Sequence, residues 1–262
     1  MPQLIIYRMM SQRQRKILNI PANCRTCSVR NDALCAPLSD GEIAVVEHFK
    51  SGNRMLSAGA YLYGQDEVCR DLYTLLDGWV CLYQMLEDGR RQILDFALPG
   101  AFLGFQPDLD SPASHSAYCL TDIAVCVFPR ENLFDLFRAH PELALRMAWI
   151  TARDGALARE HLTNVGRRSA RERVAHLLLE LFYRVRRRAG DGAANTIDLP
   201  LTQEHIADAL GLTTVHVNRT LGKLRQADLL DIHGRTLTVR DPAALAEIAG
   251  FDAEAVLEAV AT

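Results

Sequence analysis

Between Pro200 and Leu230 the apolar positions keep helical spacing on both sides of one glycine. Ile206, Ala207 and Leu210 precede Gly211, and Val217, Leu221 and Leu224 follow it. Residues three and four apart share a helix face, so the pattern predicts two amphipathic helices joined at one tight corner. Ala207 is small enough to let the helices approach, Gly211 accepts the left-handed conformation of the corner, and Val217 fills the angle between them. The second helix keeps polar residues on its outer face, as a helix entering a DNA groove requires. Beyond it, LLDIHGRTLTVRD alternates apolar and polar residues around His233 and Gly234, which predicts a hairpin and makes the unit a winged helix-turn-helix.

Upstream the period changes. A short helix is expected from Leu38 to about Glu47. After it, AGAYLYGQDE, DLYTLLDGWVCLYQMLEDGRRQILDFALPGAFLGF and SAYCLTDIAVCVFP read as strands, with corners at Asp77-Gly78, Asp88-Gly89 and Pro99-Gly100. Short strands of this kind close into a jelly roll or barrel. Past Pro129 the pattern is helical again. ENLFDLFRAH stops before Pro141, and PELALRMAWITARDGALAREHLTNV is apolar around nearly its whole girth. Such a helix needs cover on two sides: the β unit on one, and on the other either a second copy of itself or more of its own core. SARERVAHLLLELFYRVRRR, capped by Ser169, and the Gly-rich GDGAAN lead into the helix-turn-helix, and PAALAEIAGFDAEAVLEAV is a helical finish.

The expected fold is therefore α+β. It comprises an N-terminal cysteine-rich segment (1–37), a β-roll or jelly-roll sensor domain (38–140), a long dimerisation helix (141–166), a C-terminal winged helix-turn-helix (167–245) and a helical tail (246–262).

Charge sharpens this division. The chain of 262 residues carries a net charge of -3, yet residues 164–240 carry +5 and leave -8 for the rest. A basic part joined to an acidic part suits phosphate contact by one domain only. Arg184, Arg186, Arg187 and Arg188 fit a solvated helix end as well as a phosphate contact. The opening MPQLIIYRMMSQRQRK places its short apolar run before its basic residues, the wrong order for a secretory signal, and no apolar stretch is long enough to span a membrane. A cytoplasmic location is expected. In that reducing compartment the seven cysteines are buried thiols, metal ligands or redox groups. Cys69 and Cys81 sit in strand-like apolar runs and read as core thiols. Cys24, Cys27 and Cys35 lie instead in the polar, turn-rich IPANCRTCSVRNDALCAP, where a loop can wrap thiolates round a soft metal, and three ligands need a fourth. There is no Walker loop, no G-x-S-x-G elbow and no G-x-G-x-x-G, so no enzyme is expected.

The order of parts resembles the CRP/FNR superfamily of bacterial transcription regulators. The most specific pieces are VGRRSARERVAHLLLEL, the reader LTQEHIADALGLT…VNRTL, and the FLGF turn of the roll. The N-terminal thiols are similar to those of the FNR branch, in which three cysteines and one from the roll hold an oxygen-labile 4Fe-4S cluster. AVCVFPRENL looks like the segment carrying the fourth, so the resemblance assigns that role to Cys126. Cys119, seven residues earlier, is the rival, and an odd separation along an extended strand puts the two on opposite faces. In the cyclic-nucleotide branch a Glu follows the Phe-Leu-Gly turn and an Arg-Ser pair comes later. Phe105 and His115-Ser116 stand there instead, so cyclic AMP is not expected to bind.

The superfamily commonly reads DNA with a Glu, a small polar residue three on, and an Arg, and these positions fall on Val215, Asn218 and Arg219. Arg219 can pair with a guanine, Asn218 with an adenine or a phosphate, and Val215 can lie on a thymine methyl. Thr213, Thr214 and His216 are nearby candidates for backbone contact, as are Lys223 and Arg225 for phosphate. The resemblance implies a homodimer on an inverted-repeat site in double-stranded DNA, with RNA polymerase as a partner. Three readings follow: a regulator sensing oxygen or redox state through a 4Fe-4S cluster; the same architecture with zinc-binding, thiol-redox or inert cysteines and an unknown effector in the roll; or a redox enzyme or electron carrier that does not bind DNA.

Overall fold

The computed structural model describes residues 24–106, 111–189 and 195–252. The first 23 residues of the cysteine-rich segment, residues 190–194 of the Gly-rich loop and residues 253–262 of the tail lie outside the described residues. The rest forms two compact units. One ends at residue 151, and the other comprises residues from 152 onward together with 91–94.

In the first unit, two 3-10 turns (Cys24–Thr26 and Arg30–Asp32) precede helix α1, Asp40–Phe49. The helix starts where it does because Ser39 and Glu42 form a reciprocal capping box, which satisfies two otherwise orphaned amide donors. Eight strands follow: β1 Gly52–Leu56, β2 Tyr61–Tyr63, β3 Asp71–Asp77, β4 Val80–Met85, β5 Arg91–Ala97, β6 Phe102–Leu103, β7 Ser116–Cys119 and β8 Ile123–Pro129. They form two four-stranded sheets, in the orders β1-β8-β3-β6 and β2-β7-β4-β5. The corner at Gly78 needs glycine twice over. Its φ is +85°, and an added Cβ would sit 2.3 Å from the Asp122 carbonyl oxygen.

Side-chain alternation along the first sheet divides its residues between two cores. On β8, Ile123, Val125 and Val127 join the interior of the roll together with Leu75, Val80 and Cys119. Cys126 and Phe128 point the other way, into a second cluster with Cys24, Leu34, Ile43 and Val46. Helix α2 (Leu133–Ala139) and the start of helix α3 (Pro141–Arg167) complete that cluster through Leu136, Leu143, Met147 and Ile150. β1 is absent from the strand pattern read in the sequence. Its GNRML is half-buried at four positions out of five, so it lacks the alternation that marks a strand with one wet face.

In the second unit, helix α4 (Ala170–Ala189) is buried along Val174, Leu178, Leu181 and Phe182. It also buries Glu180, whose carboxylate accepts from Arg184 Nη1 at 3.0 Å and pairs with His161 Nε2 at 2.8 Å. Burial pushes that carboxyl up, but His161 and Arg184 outweigh it and hold it down at about 2. A three-stranded sheet of order β10-β11-β9 follows, with β9 Thr196–Asp198, β10 Leu230–His233 and β11 Thr236–Val239. The β10–β11 hairpin turns at Gly234, as the alternation predicts, whereas the three-residue β9 is too short to leave a pattern. Helix α5 (Gln203–Leu210) and helix α6 (Thr214–Gln226) lie between β9 and β10. The last helix among the described residues, α7 (Pro242–Ala249), begins at the Pro242 that opens the expected helical finish, so its first four residues fall inside the span expected for the reader. It packs on α4, with Leu245 and Ala249 buried and Phe251 stacked on Tyr183. This helix is therefore part of the reader's core.

Candidate metal centre and DNA-reading surface

Four thiols line one cavity of about 260 Å3 in the first unit: Cys24, Cys27, Cys35 and Cys126. The short turns set the first two. Cys27 N donates to Cys24 O at 3.4 Å, and Arg30 N donates to Cys27 O at 3.3 Å. Two contacts with α1 anchor this segment. Glu47 Oε1 accepts from Cys24 N at 2.8 Å, and Arg30 reaches both the Asp40 carboxylate and the Leu38 carbonyl. Cys126 comes from the opposite wall, on the central strand β8, directly across from Asn53 on β1 and Thr74 on β3. All three side chains line the cavity, and Asn53 Oδ1 is buried there with no hydrogen-bond partner among the described residues.

Burial pushes the Cys35 and Cys126 thiols up to about 12, and the neighbouring cysteines add to the rise. Burial also raises Cys24, opposed by the ammonium of Lys50, whose Nζ donates to Cys24 Sγ at 2.8 Å. Buried thiols of this kind become thiolates when a cation replaces their protons. No three of these sulfurs lie within 4.8 Å of one another. One zinc ion bonded to four thiolates at about 2.3 Å would draw the sulfurs to within about 3.8 Å. A four-thiol donor set of this kind suits a soft metal centre, either a single zinc ion or a polynuclear iron–sulfur group.

The other cysteines lie elsewhere. Cys119 is fully buried in the interior of the roll, with its thiol pushed up to about 12 by burial and then by Asp122. Cys69 and Cys81 are buried as well. Lys50, Asn53 and Thr74 are cavity residues that the sequence pattern does not single out. Asn53 and Thr74 become neighbours of Cys126 only through strand register, and Lys50 only through the fold of the loop back onto α1.

At the positions that a cyclic-nucleotide pocket would use, Phe105 is exposed, and His115 Nε2 shares a 2.8 Å hydrogen bond with Tyr63 OH. Burial lowers His115, which favours the uncharged ring.

In the second unit Thr202 caps α5, Gly211 ends it at φ +62°, and Thr213 caps α6 by accepting from His216 N. Ile206, Ala207, Leu210, Val217 and Leu224 are buried between the helices and the rest of the unit, as their spacing predicts. Thr213, Thr214, Val215, His216, Asn218, Arg219, Lys223 and Arg225 are all exposed. Val215 is 69% exposed, an unusual position for a valine with no partner, and Asn218 Nδ2 donates to Gln203 Oε1 at 3.0 Å. Gln203 thus borders the same surface, although nothing in its local sequence marks it. Arg225 lies 3.9 Å from Asp231, a contact too long and too exposed to hold it away from a phosphate.

Comparison with known proteins covers both units. A Crp-like helix-turn-helix domain matches residues 172–248, and a cyclic nucleotide-binding domain matches residues 53–140. The nitrogen fixation regulation protein FixK of Bradyrhizobium diazoefficiens is 37% identical over 228 residues, which is 86% of this chain and 93% of that protein. The transcriptional activatory protein AadR of Rhodopseudomonas palustris is 37% identical over 220 residues, 84% of this chain and 90% of that one. Among solved structures, FixK2 from Bradyrhizobium japonicum superimposes with a TM-score of 0.68 at 30% identity, covering 75% of this chain and 96% of that one.

Proposed function

This chain belongs to the CRP/FNR superfamily of transcription regulators, with its helix-turn-helix as the DNA-binding element, and on that premise we propose that its DNA binding responds to oxygen or redox state through a 4Fe-4S cluster held by Cys24, Cys27, Cys35 and Cys126. The observation that carries this reading is the convergence of those four thiols, three from the N-terminal segment and one from β8, on one cavity. When bound, such a cluster supplies an oxygen-labile one-electron centre.

The chain's own residues supply the rest. The cavity draws on the N-terminal turns, α1 and β8, so an occupant ties the N-terminal segment to the roll. Cys24 and Cys126 belong to the same apolar cluster as Leu143, Met147 and Ile150 of α3, so a change in the cavity reaches that helix through packed side chains. α3 exposes Leu145 and Trp149 on one side and, further along on another side, Leu162, and we assign the Leu145–Trp149 side to a second copy of the chain. In the resulting dimer Arg219 reads a guanine in each half-site, Val215 lies on a thymine methyl, Asn218 contacts a base or phosphate from its bond with Gln203, and Lys223 and Arg225 meet phosphates. Thr213, Thr214 and His216 border the groove. The roll does not act as a cyclic AMP receptor, because Phe105 and a neutral His115 offer neither the acid nor the cation that such a ligand needs.

The test is spectroscopic. Protein purified without oxygen should be brown, with iron and acid-labile sulfide in equal amounts and an absorbance that bleaches in air. Colourless protein with one zinc per chain would sink the reading in favour of a zinc or thiol-based regulator of the same architecture.

A further inference from the structure

Four thiolates carry four negative charges into a cavity walled by the N-terminal turns and by the first sheet, with Ile43 of α1 also lining it. Binding a dipositive iron–sulfur core leaves a net charge of about -2 in surroundings where an uncompensated charge is costly. Two cations border the cavity, Arg30 and Lys50. Arg30 is already paired with Asp40. Lys50 is the one in contact with sulfur, at 2.8 Å from Cys24, and its charge also acts on Cys35 and Cys126 from one position. Glu47, one turn earlier, works against it. Its carboxylate accepts from the Cys24 amide and adds a negative charge beside the same sulfur.

Chain geometry explains how Lys50 gets there. It is the first residue past the C-terminus of α1, in ordinary extended backbone (φ -98°, ψ 150°), so its side chain leaves the helix end beside the turn that presents Cys24. Nothing in that backbone requires lysine, and the residue is half-buried rather than packed in the core.

We propose that Lys50 is a positioning residue for the metal centre: its ammonium compensates the charge of the thiolate-bound group and thereby sets the centre's reduction potential. The assignment rests on the iron–sulfur reading above. A positive charge beside the centre favours the state carrying one more electron, so removing that charge makes reduction harder.

The test uses full-length protein reconstituted with iron and sulfide under nitrogen. The centre is titrated with dithionite, which supplies the single electron and is itself oxidised to sulfite. Lys50→Met, similar in length but uncharged, should shift the midpoint potential to more negative values, and Lys50→Arg should restore it. Lys50→Gln keeps a hydrogen-bond donor without the charge and should behave like Met. If Lys50→Met fails to hold the centre while Lys50→Arg holds it, charge compensation is supported in a stronger form. Melting of the metal-free variants checks that all three fold. Equal potentials in wild type and Lys50→Met would overturn this role alone, as would equal losses in the Met and Arg variants. A wild type that takes up no iron–sulfur group would overturn this role and the proposed function together.

Discussion

The thiol cavity and the recognition helix place their chemistry in opposite environments. In the cavity Cys24 and Cys126 are more than nine-tenths buried, beneath turns anchored to α1 by Glu47 and Arg30. On α6 and at its Thr213 cap every residue of the expected reading set is exposed, while Val217, Thr220 and Leu224 are buried. A sensor made of thiolates needs exclusion of water and near neighbours of fixed position, whereas a reader needs side chains free to exchange water for base edges and phosphates. Substitutions in the two regions should therefore fail differently, all-or-none in the cavity and graded on the helix.

The largest effect is expected at the cavity wall. Cys126→Ser, purified without oxygen, should lose the visible absorbance and most oxygen-dependent control of DNA binding, while Cys119→Ser keeps both. Bleaching by the Cys119 variant alone would break the division between the roll interior, which Cys119 enters from the second sheet, and the outer face of the first sheet, which carries Cys126.

Next in size is a buried site that belongs to neither region. Removing the carboxylate with Glu180→Ala takes away the partner of Arg184 Nη1 and His161 Nε2 in a buried site and should cost about 3–5 kcal/mol of stability in denaturant unfolding without changing base preference. A changed preference would mean that α4 also shapes the reading surface. Glu180 also gives a pH signature. Its carboxyl is held at about 2 in the folded unit, below its value in the unfolded chain, so its contribution is complete above about pH 4.5 and is lost as pH falls through about 2. The melting temperature of wild type should fall across that window more steeply than that of Glu180→Gln.

On the helix, Arg219→Ala should weaken specific binding by about 1–3 kcal/mol and relax one base position. Lys223→Ala should weaken all sequences alike and reduce the salt slope by about one. Equal losses on operator and random DNA for both variants would erase this distinction. The smallest expected effect is none at all: calorimetry with cyclic AMP should show binding no tighter than about millimolar. A micromolar constant would show that other donors in the roll replace the missing Arg.

Local rules were enough for much of this molecule. The two helices and their corner at Gly211, the hairpin at Gly234, the turns at Gly78 and Gly89 and the breaks at Pro129 and Pro141 follow from periodicity and from the few residues that tolerate unusual backbone, both readable within about ten positions. The CRP/FNR fold was legible for the same reason, because its order of elements is linear in the chain. What tertiary structure decided lies at longer range. β1 and β9 exist because neighbouring strands supply their hydrogen bonds, not because GNRML or TID alternates. α7 belongs to the reader because α4 offers it an apolar face. Cys24, Cys27 and Cys35 are close in sequence, but their meeting with Cys126 depends on about 90 intervening residues folding into a roll whose central strand alternates in one register rather than the other, since a slip by one residue would turn Cys126 into the interior. The same register brings Asn53 and Thr74 alongside it, and the end of α1 brings Lys50 to the Cys24 sulfur. Sequence pattern determines which face of each element is apolar; only packing those faces together decides which polar groups become neighbours.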